Sequence, residues 1–588
     1  MQFALRIGLL TAVCVALTAT GCGGGGTAAD PAAEHVVALA VRGVATDAAM
    51  GALDAHRLAD QASFGATESL VAEMRAQGAA AWIGSQMTLR SSRYQSGGDA
   101  GVHQVRAPTA YCLLPAHEGE NCWRDNLSTQ PLLWDFYRNA VRQPDQLRQR
   151  VAFALQQIVV VSGVEVAGTY GFRDYHNNLL DNAFGNYREV LRKVALSPVM
   201  GDFLNNANND KAAPNENFAR ELLQLFSVGS CELNPDGTPK GGKCNPAFDN
   251  DTVRAYAYAL TGWTYPAGGT SAWGCWPVGA NCRFYGGDMV AFASYHDSTA
   301  RSLLSGVALA AGHTSDVALE RVLDSLMAHP NIAPFIGKQL IQHLVSSNPS
   351  AAYVGRVAAA FASGTHVSGD RRFGGGKGGD LMATVAAVLL DSEARSPGKP
   401  QDTTPRVPAP RSAGKLREPV LMFTGVLRAL NGKTDGDVFN WWGESLHQHV
   451  FRAPSVFSYY RPDHPVSGTA LVGPAFGVHN ASASLLRLNY LSWLIDWGGA
   501  ARDASVPGAV GTQVDLSAFL ATAANAAVLV DRLAMLACGQ LLASPAREEV
   551  IKAVSMWTVA VDKDNWRVNR VKAAAYLVFG SPNYQMQR

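Results

Sequence analysis

Apolar residues in this chain recur every three or four positions and almost nowhere every second one, which commits it to helices packed on helices. Leu147, Val151, Ala154, Leu155 and Ile158 trace one stripe after Pro144-Asp145, and Phe184, Tyr187, Leu191 and Val194 trace another that Pro198 ends. Similar stripes run through Val317 to Met327, Ile332 to Val345, Asp380 to Leu390 and Leu516 to Ala543. Neither sustained strand alternation nor a fixed-period repeat accompanies them, so the expected fold class is mainly α, a large multi-helix globular body. Sheet is expected only as short hairpins, near Asn234-Pro235-Asp236-Gly237 and between Cys275 and Cys282, where the turn chemistry is right.

The best-bounded helix runs from Asn215 to Gly229. Asn215 can accept from the first free backbone N–H groups, Glu216 suits the positive helix start, and Gly229 can take the left-handed turn that closes the end. Stepping 100° per residue puts Phe218, Leu222, Leu225 and Phe226 on one face. Asn217, Glu221 and Gln224 line its flank and Arg220 points nearly opposite, which sets Glu221 at the edge of a core.

The first residues set the compartment. Arg6 precedes an apolar run from Leu9 to Leu17 that ends in Thr18-Ala19-Thr20-Gly21-Cys22, too short for a bilayer span and of the right form for an export signal. Small residues before a cysteine resemble the lipobox of bacterial lipoproteins, which implies acylation of Cys22 and a lipid bilayer as the first partner. Gly at position 23, where Asp would be the retention signal, favours the outer membrane. The expected organisation is a signal over 1–21, an anchor and tether over 22–45, a main helical domain over 46–500 and a C-terminal helical segment over 512–588. Exposed excursions are expected at the glycine-rich 364–379 and the Pro-rich 397–414. Charge is no guide to partners: 49 basic and 48 acidic residues balance to +1, so nothing pulls on nucleic acid.

Cys112 with Cys122, Cys231 with Cys244, and Cys275 with Cys282 each bracket a polar loop, as expected of disulfides in an oxidising space. Spacing does not fix the connectivity. A zinc site is a poorer reading, since there is no Cys-x-x-Cys. Cys538, in an apolar run, reads as a buried free thiol.

The chain resembles the bacterial family known as domain of unknown function 1800. The segments that carry the likeness are Arg57 to Gly65, Phe153 to Ser162, Ala183 to Tyr187, Pro198 to Leu204, Asn215 to Gly229, Thr261-Gly262-Trp263 and His296-Asp297. Leu381 to Arg395, Ala453 to Tyr459 and Leu577 to Gln587 extend it to the C-terminal end. The resemblance implies an exported, largely helical protein that works beside an exported sulfatase-like partner of the domain of unknown function 1501 family. Three departures stand out. Many members carry Asn-His-Phe where this chain has Gln157-Ile158-Val159, Pro-Glu-Phe where it has Pro474-Ala475-Phe476, and a lysine after the His-Asp pair where it offers Arg301.

Chemistry-bearing candidates are few. Arg220 and Glu221 could orient and polarise a substrate; alternatively Arg220 pairs with Glu216 one turn away while Glu221 locks a neighbouring element by hydrogen bonds. Under that second reading Glu221→Gln costs on the order of 1 to 3 kcal/mol. His296 and Asp297 form the best pair for acid–base or metal chemistry, and His447 with His449 could share a metal if the backbone there is extended. The Asn205 to Asp210 loop offers oxygen ligands for Ca²⁺, or an Asn-rich turn feeding the next helix. His176 reads as core or surface. Absent motifs exclude an ordinary α/β-hydrolase elbow, a His-Glu-x-x-His protease and covalent haem, and Gly374 to Gly379 lacks the spacing of a phosphate loop and reads as flexible. No cofactor is nominated. The sequence therefore supports an exported lipoprotein of scaffold or partner type first, and a hydrolase-like or metal-assisted enzyme acting on an envelope or extracellular polymer second.

Overall fold

A computed structural model describes residues 50–99, 101–102, 110–119, 121–266, 283–395 and 413–588, with the backbone alone of 108–109, 274–275 and 280–281. The expected signal, the Cys22 anchor, the side chains of Cys275 and Cys282 and nearly all of 397–414 lie outside the described residues. From Thr46 to Arg588 the chain forms one compact unit, to which the C-terminal helices belong.

Helix dominates, as the periodicity requires. The elements that matter below are α1 (Ala52–Ala62), α2 (Gln146–Ile158), α3 (Asn217–Gln224), α4 (Ser315–Met327), α5 (Ile332–Leu344), α6 (Leu381–Leu390), α7 (Pro419–Ala429), α8 (Phe439–Ser445), α9 (Ala481–Ile495), α10 (Ala526–Cys538) and α11 (Trp566–Gly580). Every residue of α2 is buried, and all of α7 except Arg428. Both run through the centre rather than along the surface, so their polar side chains must find partners inside the protein. Helix α5 packs against α2 and α6, while α11 packs against α9 and α10. Where α1 ends, Gly65 (φ +139°) comes so close to α7 that a Cβ there would lie 2.5 Å from Gly425 Cα, and Arg428 Nε donates to the Gly65 carbonyl at 2.8 Å. Among the described residues no helix is long and apolar enough to cross a membrane.

Among the described residues strands occur only as two-stranded antiparallel pairs. Gly274–Cys275 pairs with Ala280–Asn281, where a hairpin was expected. At 234–237 the chain makes a turn, Gly237 N donating to Asn234 O, flanked by isolated bridges Leu233 to Pro239 and Cys231 to Pro246. The glycine-rich 364–379 differs from a flexible loop: His366–Ser368 pairs with Arg371–Phe373, and backbone bonds from Gly379 N to Phe361 O and Tyr187 N to Gly379 O tie its end down. Glycine there supplies the positive φ that the tight return needs. The pair that positions the site joins Lys415–Leu416 to Met586–Gln587, clamping the entry to α7 with the last residues of the fold.

Disulfides link Cys112 to Cys122 and Cys231 to Cys244. Cys538 is free, and burial pushes its thiol up to about 12, so it is inert rather than nucleophilic.

Candidate functional site

Helix α3 is shorter than the sequence suggests, Asn217–Gln224, because the chain after it closes in wider turns: Val228 N and Gly229 N both donate to Leu223 O, with Gly229 at φ +77°. The N-cap position is Glu216, whose side chain makes no cap bond; Asn215, one residue earlier, accepts from Asn217 N at 2.9 Å in an Asx turn rather than capping the helix as expected. Arg220 donates to Glu216 at 2.9 Å, the one-turn pair, and Arg254 approaches Glu216 at 3.9 Å. Glu221 is half-buried and its Oε2 has no hydrogen-bond partner, so it locks nothing. Burial raises its carboxyl above the ordinary value and Arg220 only partly offsets this. The expectation that Glu221→Gln would break a buried contact is therefore corrected.

The Asn-rich loop before α3 is a joint, not a cradle. Asn208 N donates to Trp263 O, Asn209 O accepts from Gly262 N, and Thr264 Oγ1 donates to Asn208 Oδ1. Gly262 (φ +82°) is required because a Cβ there would meet His296 Cβ at 2.6 Å. His296 in turn is buried, with Nδ1 2.9 Å from Thr261 O and Nε2 3.2 Å from His313 Nδ1, and burial lowers its basicity. Asp297 accepts from Thr299 and, at 2.9 Å, from Arg301 Nη2; burial opposes its charge, but these bonds outweigh it and hold the carboxyl below its ordinary value. Arg301 lies 4.0 Å over the Tyr258 ring. Each of Arg220, His296 and Asp297 thus has its own local partner.

His447 and His449 do not pair. His447 is exposed at φ +60°, whereas His449 is buried, 3.2 Å from Asn440 Oδ1, and pushed down to about 3 by burial. His176 is a core residue packed 4.7 Å from Phe451, likewise pushed down to about 3. Among the described residues no group of three His, Cys, Asp or Glu could hold a metal.

Chemistry that the motifs do not announce converges elsewhere, on a cavity of about 60 Å³. Helix α2 contributes Gln157, α5 contributes Gln339 and His343, the paired strand contributes Lys415, and the turn after Ala453 contributes Ser458 and Tyr460. Leu225, just beyond α3, closes one side. Lys415, 4% exposed, donates from Nζ to His343 O at 2.7 Å and stands 3.4 Å from Glu418 Oε1. Glu418, 0% exposed, sits at the positive start of α7 ahead of Pro419 without a cap bond of its own and accepts at Oε2 from Gln448 Nε2 (2.6 Å) and Tyr460 OH (2.7 Å). Tyr460 OH is also 3.2 Å from Gln157 Oε1. Burial opposes charge on both members of the pair. It pushes Lys415 down to about 8, while Lys415 and Arg150 outweigh it at Glu418 and hold that carboxyl at about 2. Both are ionised at neutral pH. Arg150, fully buried two turns before Gln157 on the same face of α2, donates from Nη2 to His343 O at 3.1 Å, while its Nε and Nη1 have no partner.

Three further polar atoms of the cavity wall are unpartnered: Gln157 Nε2, Gln339 Nε2 and Ser458 Oγ. Gln157 and Ser458 are 6% and 4% exposed, and Ser458 sits at φ +62°, a conformation an L-residue adopts only at some cost. Unsatisfied buried donors around a cavity mark a place that bound water or a ligand would complete. Three of the positions that depart from the family pattern, Gln157, Ile158 and Ala475, line this same cavity. None of Gln339, Lys415, Glu418 or Tyr460 is marked by a motif, and Ser458 lies in the Ala453 to Tyr459 family segment without any chemistry read into it. One signal was available in Lys415-Leu416-Arg417-Glu418, three charges opening a helix too apolar to be a surface helix.

The family model for proteins of unknown function DUF1800 matches residues 57–586, so the chain belongs to that family. No curated protein and no solved structure matches it.

Proposed function

We propose that this protein is an exported, lipid-anchored envelope component that binds a small polar ligand in the Lys415–Tyr460 cavity and works beside an exported sulfatase-like partner of the DUF1501 family. The observation that carries the binding role is the set of unpartnered polar groups on Gln157, Gln339 and Ser458 around one partly open cavity. Export is supported by the Cys22 signature and by the two disulfides, which favour an oxidising compartment. The partner rests on the family resemblance alone. A hydrolase or metal-assisted reaction at Arg220, Glu221, His296 and Asp297 is the less favoured reading, because three of the four are held in separate local contacts.

The test is native mass spectrometry on protein released from envelope membranes. A bound species that denaturation releases, on a chain with an acylated Cys22, supports the proposal. A chain that is empty after every mild preparation, or unacylated, defeats the corresponding half of it.

A further inference from the structure

The binding reading leaves the ligand's chemistry open, and the charges around the cavity narrow it. Arg150, Lys415 and Arg417 are buried cations within reach of one another's fields; the carboxylates that answer them are Asp60 and Glu418. Arg417 is fully engaged by Asp60, at 2.8 and 3.2 Å. Glu418 is shared between Lys415 and Arg150 and has already accepted from Gln448 and Tyr460. Arg487, 3% exposed and within the field of Arg417, adds a fourth cation, so the two carboxylates leave an excess of positive charge in the interior, a costly arrangement that an added negative charge would relieve. Lys415 puts part of that excess at the cavity wall, and its ammonium has three protons but only two partners, His343 O and Glu418.

The remaining groups fit the same guest. Ser458 Oγ and the Gln339 amide can donate, and no carboxylate lines the space to repel an anion. At about 60 Å³ the cavity holds a few non-hydrogen atoms, and the apolar Ile158, Leu225, Phe335 and Ala475 in its lining suit a methyl or methylene carried by the anionic head. We propose that the cavity binds a single carboxylate, either a small free acid or the acidic end of a larger molecule, with Lys415 as counter-charge and Ser458 and Gln339 as donors. The proposal rests on the binding reading above and specifies its ligand.

Titration calorimetry and thermal shift on the purified chain test it, with acetate, an N-acylated dipeptide acid, inorganic phosphate and acetamide as probes. Acetate or the longer acid should bind and raise Tm in proportion to the logarithm of its concentration, and acetamide should not. Acetate binding points to a free acid; binding of the longer acid alone points to a terminal group. Gln339→Leu and Ser458→Gly remove an unpartnered group each and should fold as well as the parent, yet bind the acid about tenfold more weakly. Equal binding of acetamide, tighter binding of phosphate, or acid binding unchanged in both variants overturns the carboxylate assignment. So does a cavity that crystallography finds holding water alone in saturating acetate. If the envelope-derived protein carries a neutral molecule in this cavity, the carboxylate falls and the binding role stands; if nothing binds in any arm and none is co-purified, both fall.

Discussion

Two regions of this protein carry conspicuous charges, and they spend them differently. Around α3 and the Thr261-Gly262-Trp263 turn, the partners are local and mostly part-exposed: Arg220 with Glu216 and Arg301 with Asp297, each four residues apart. Around the start of α7 the charges are buried and, apart from the i,i+3 pair of Lys415 with Glu418, long-range, joining α1, α2 and the turn at Tyr460. The first pattern shapes loops. The second holds charge in a low-dielectric interior, where an imperfectly matched group is expensive and a ligand can be what completes the match.

The largest predicted effect comes from breaking the second region at its most shared group. Glu418→Leu strands Lys415 and Arg150, orphans Gln448 Nε2 and leaves Tyr460 only its longer bond to Gln157, and should cost about 3 to 5 kcal/mol, read as a lower denaturant midpoint. In the first region, opening the Cys231–Cys244 bridge by a paired Ser substitution should cost about 3 kcal/mol through the 13-residue loop it closes, without touching the cavity. Asp297→Asn should cost less, about 1 to 3 kcal/mol, since Arg301 keeps its place over Tyr258.

The two glutamates sharpen the contrast through pH. Glu418 has a folded value of about 2 against an ordinary 4.5, so its contribution is present in full above pH 4.5 and is lost as pH falls toward 2. Glu221 is shifted the other way, so the folded state binds its proton more tightly and stability falls as pH rises past 4.5 through the raised value. Above these windows Glu418→Gln should therefore be destabilised and Glu221→Gln neutral or slightly stabilised. Unfolding curves at pH 3 and pH 7 separate them, and parallel behaviour of the two variants would erase the distinction. The smallest effect is Ser458→Gly, which relieves the positive φ and should leave the unliganded protein unchanged or up to about 1 kcal/mol more stable.

Much of the architecture was readable from residue spacing because burial on one helix face has a period. The Leu147 to Ile158 stripe is α2, and the signature helix lies inside the Asn215 to Gly229 segment, though neither of those residues is its cap. The helix stopped early because propensity does not determine how the last turn widens. The cavity was less readable, since its walls come from segments hundreds of residues apart and bring together Gln157, Lys415 and Tyr460 only in three dimensions. His296-Asp297 stood out as a dipeptide, yet neighbours in sequence took separate partners. Glu418 belongs to no motif, and only the near-complete burial of α7 reveals what it faces.

The claim that the cavity, rather than the α3–His296 region, is where this protein meets its ligand has one direct test. Ligand retention is measured by native mass spectrometry in three envelope-derived proteins: the parent, a Glu221→Gln/Asp297→Asn double variant and a Gln339→Leu/Ser458→Gly double variant. Retention in the first two with at least tenfold loss in the third is the predicted result. Loss in the Glu221→Gln/Asp297→Asn protein with retention in the Gln339→Leu/Ser458→Gly protein would contradict it.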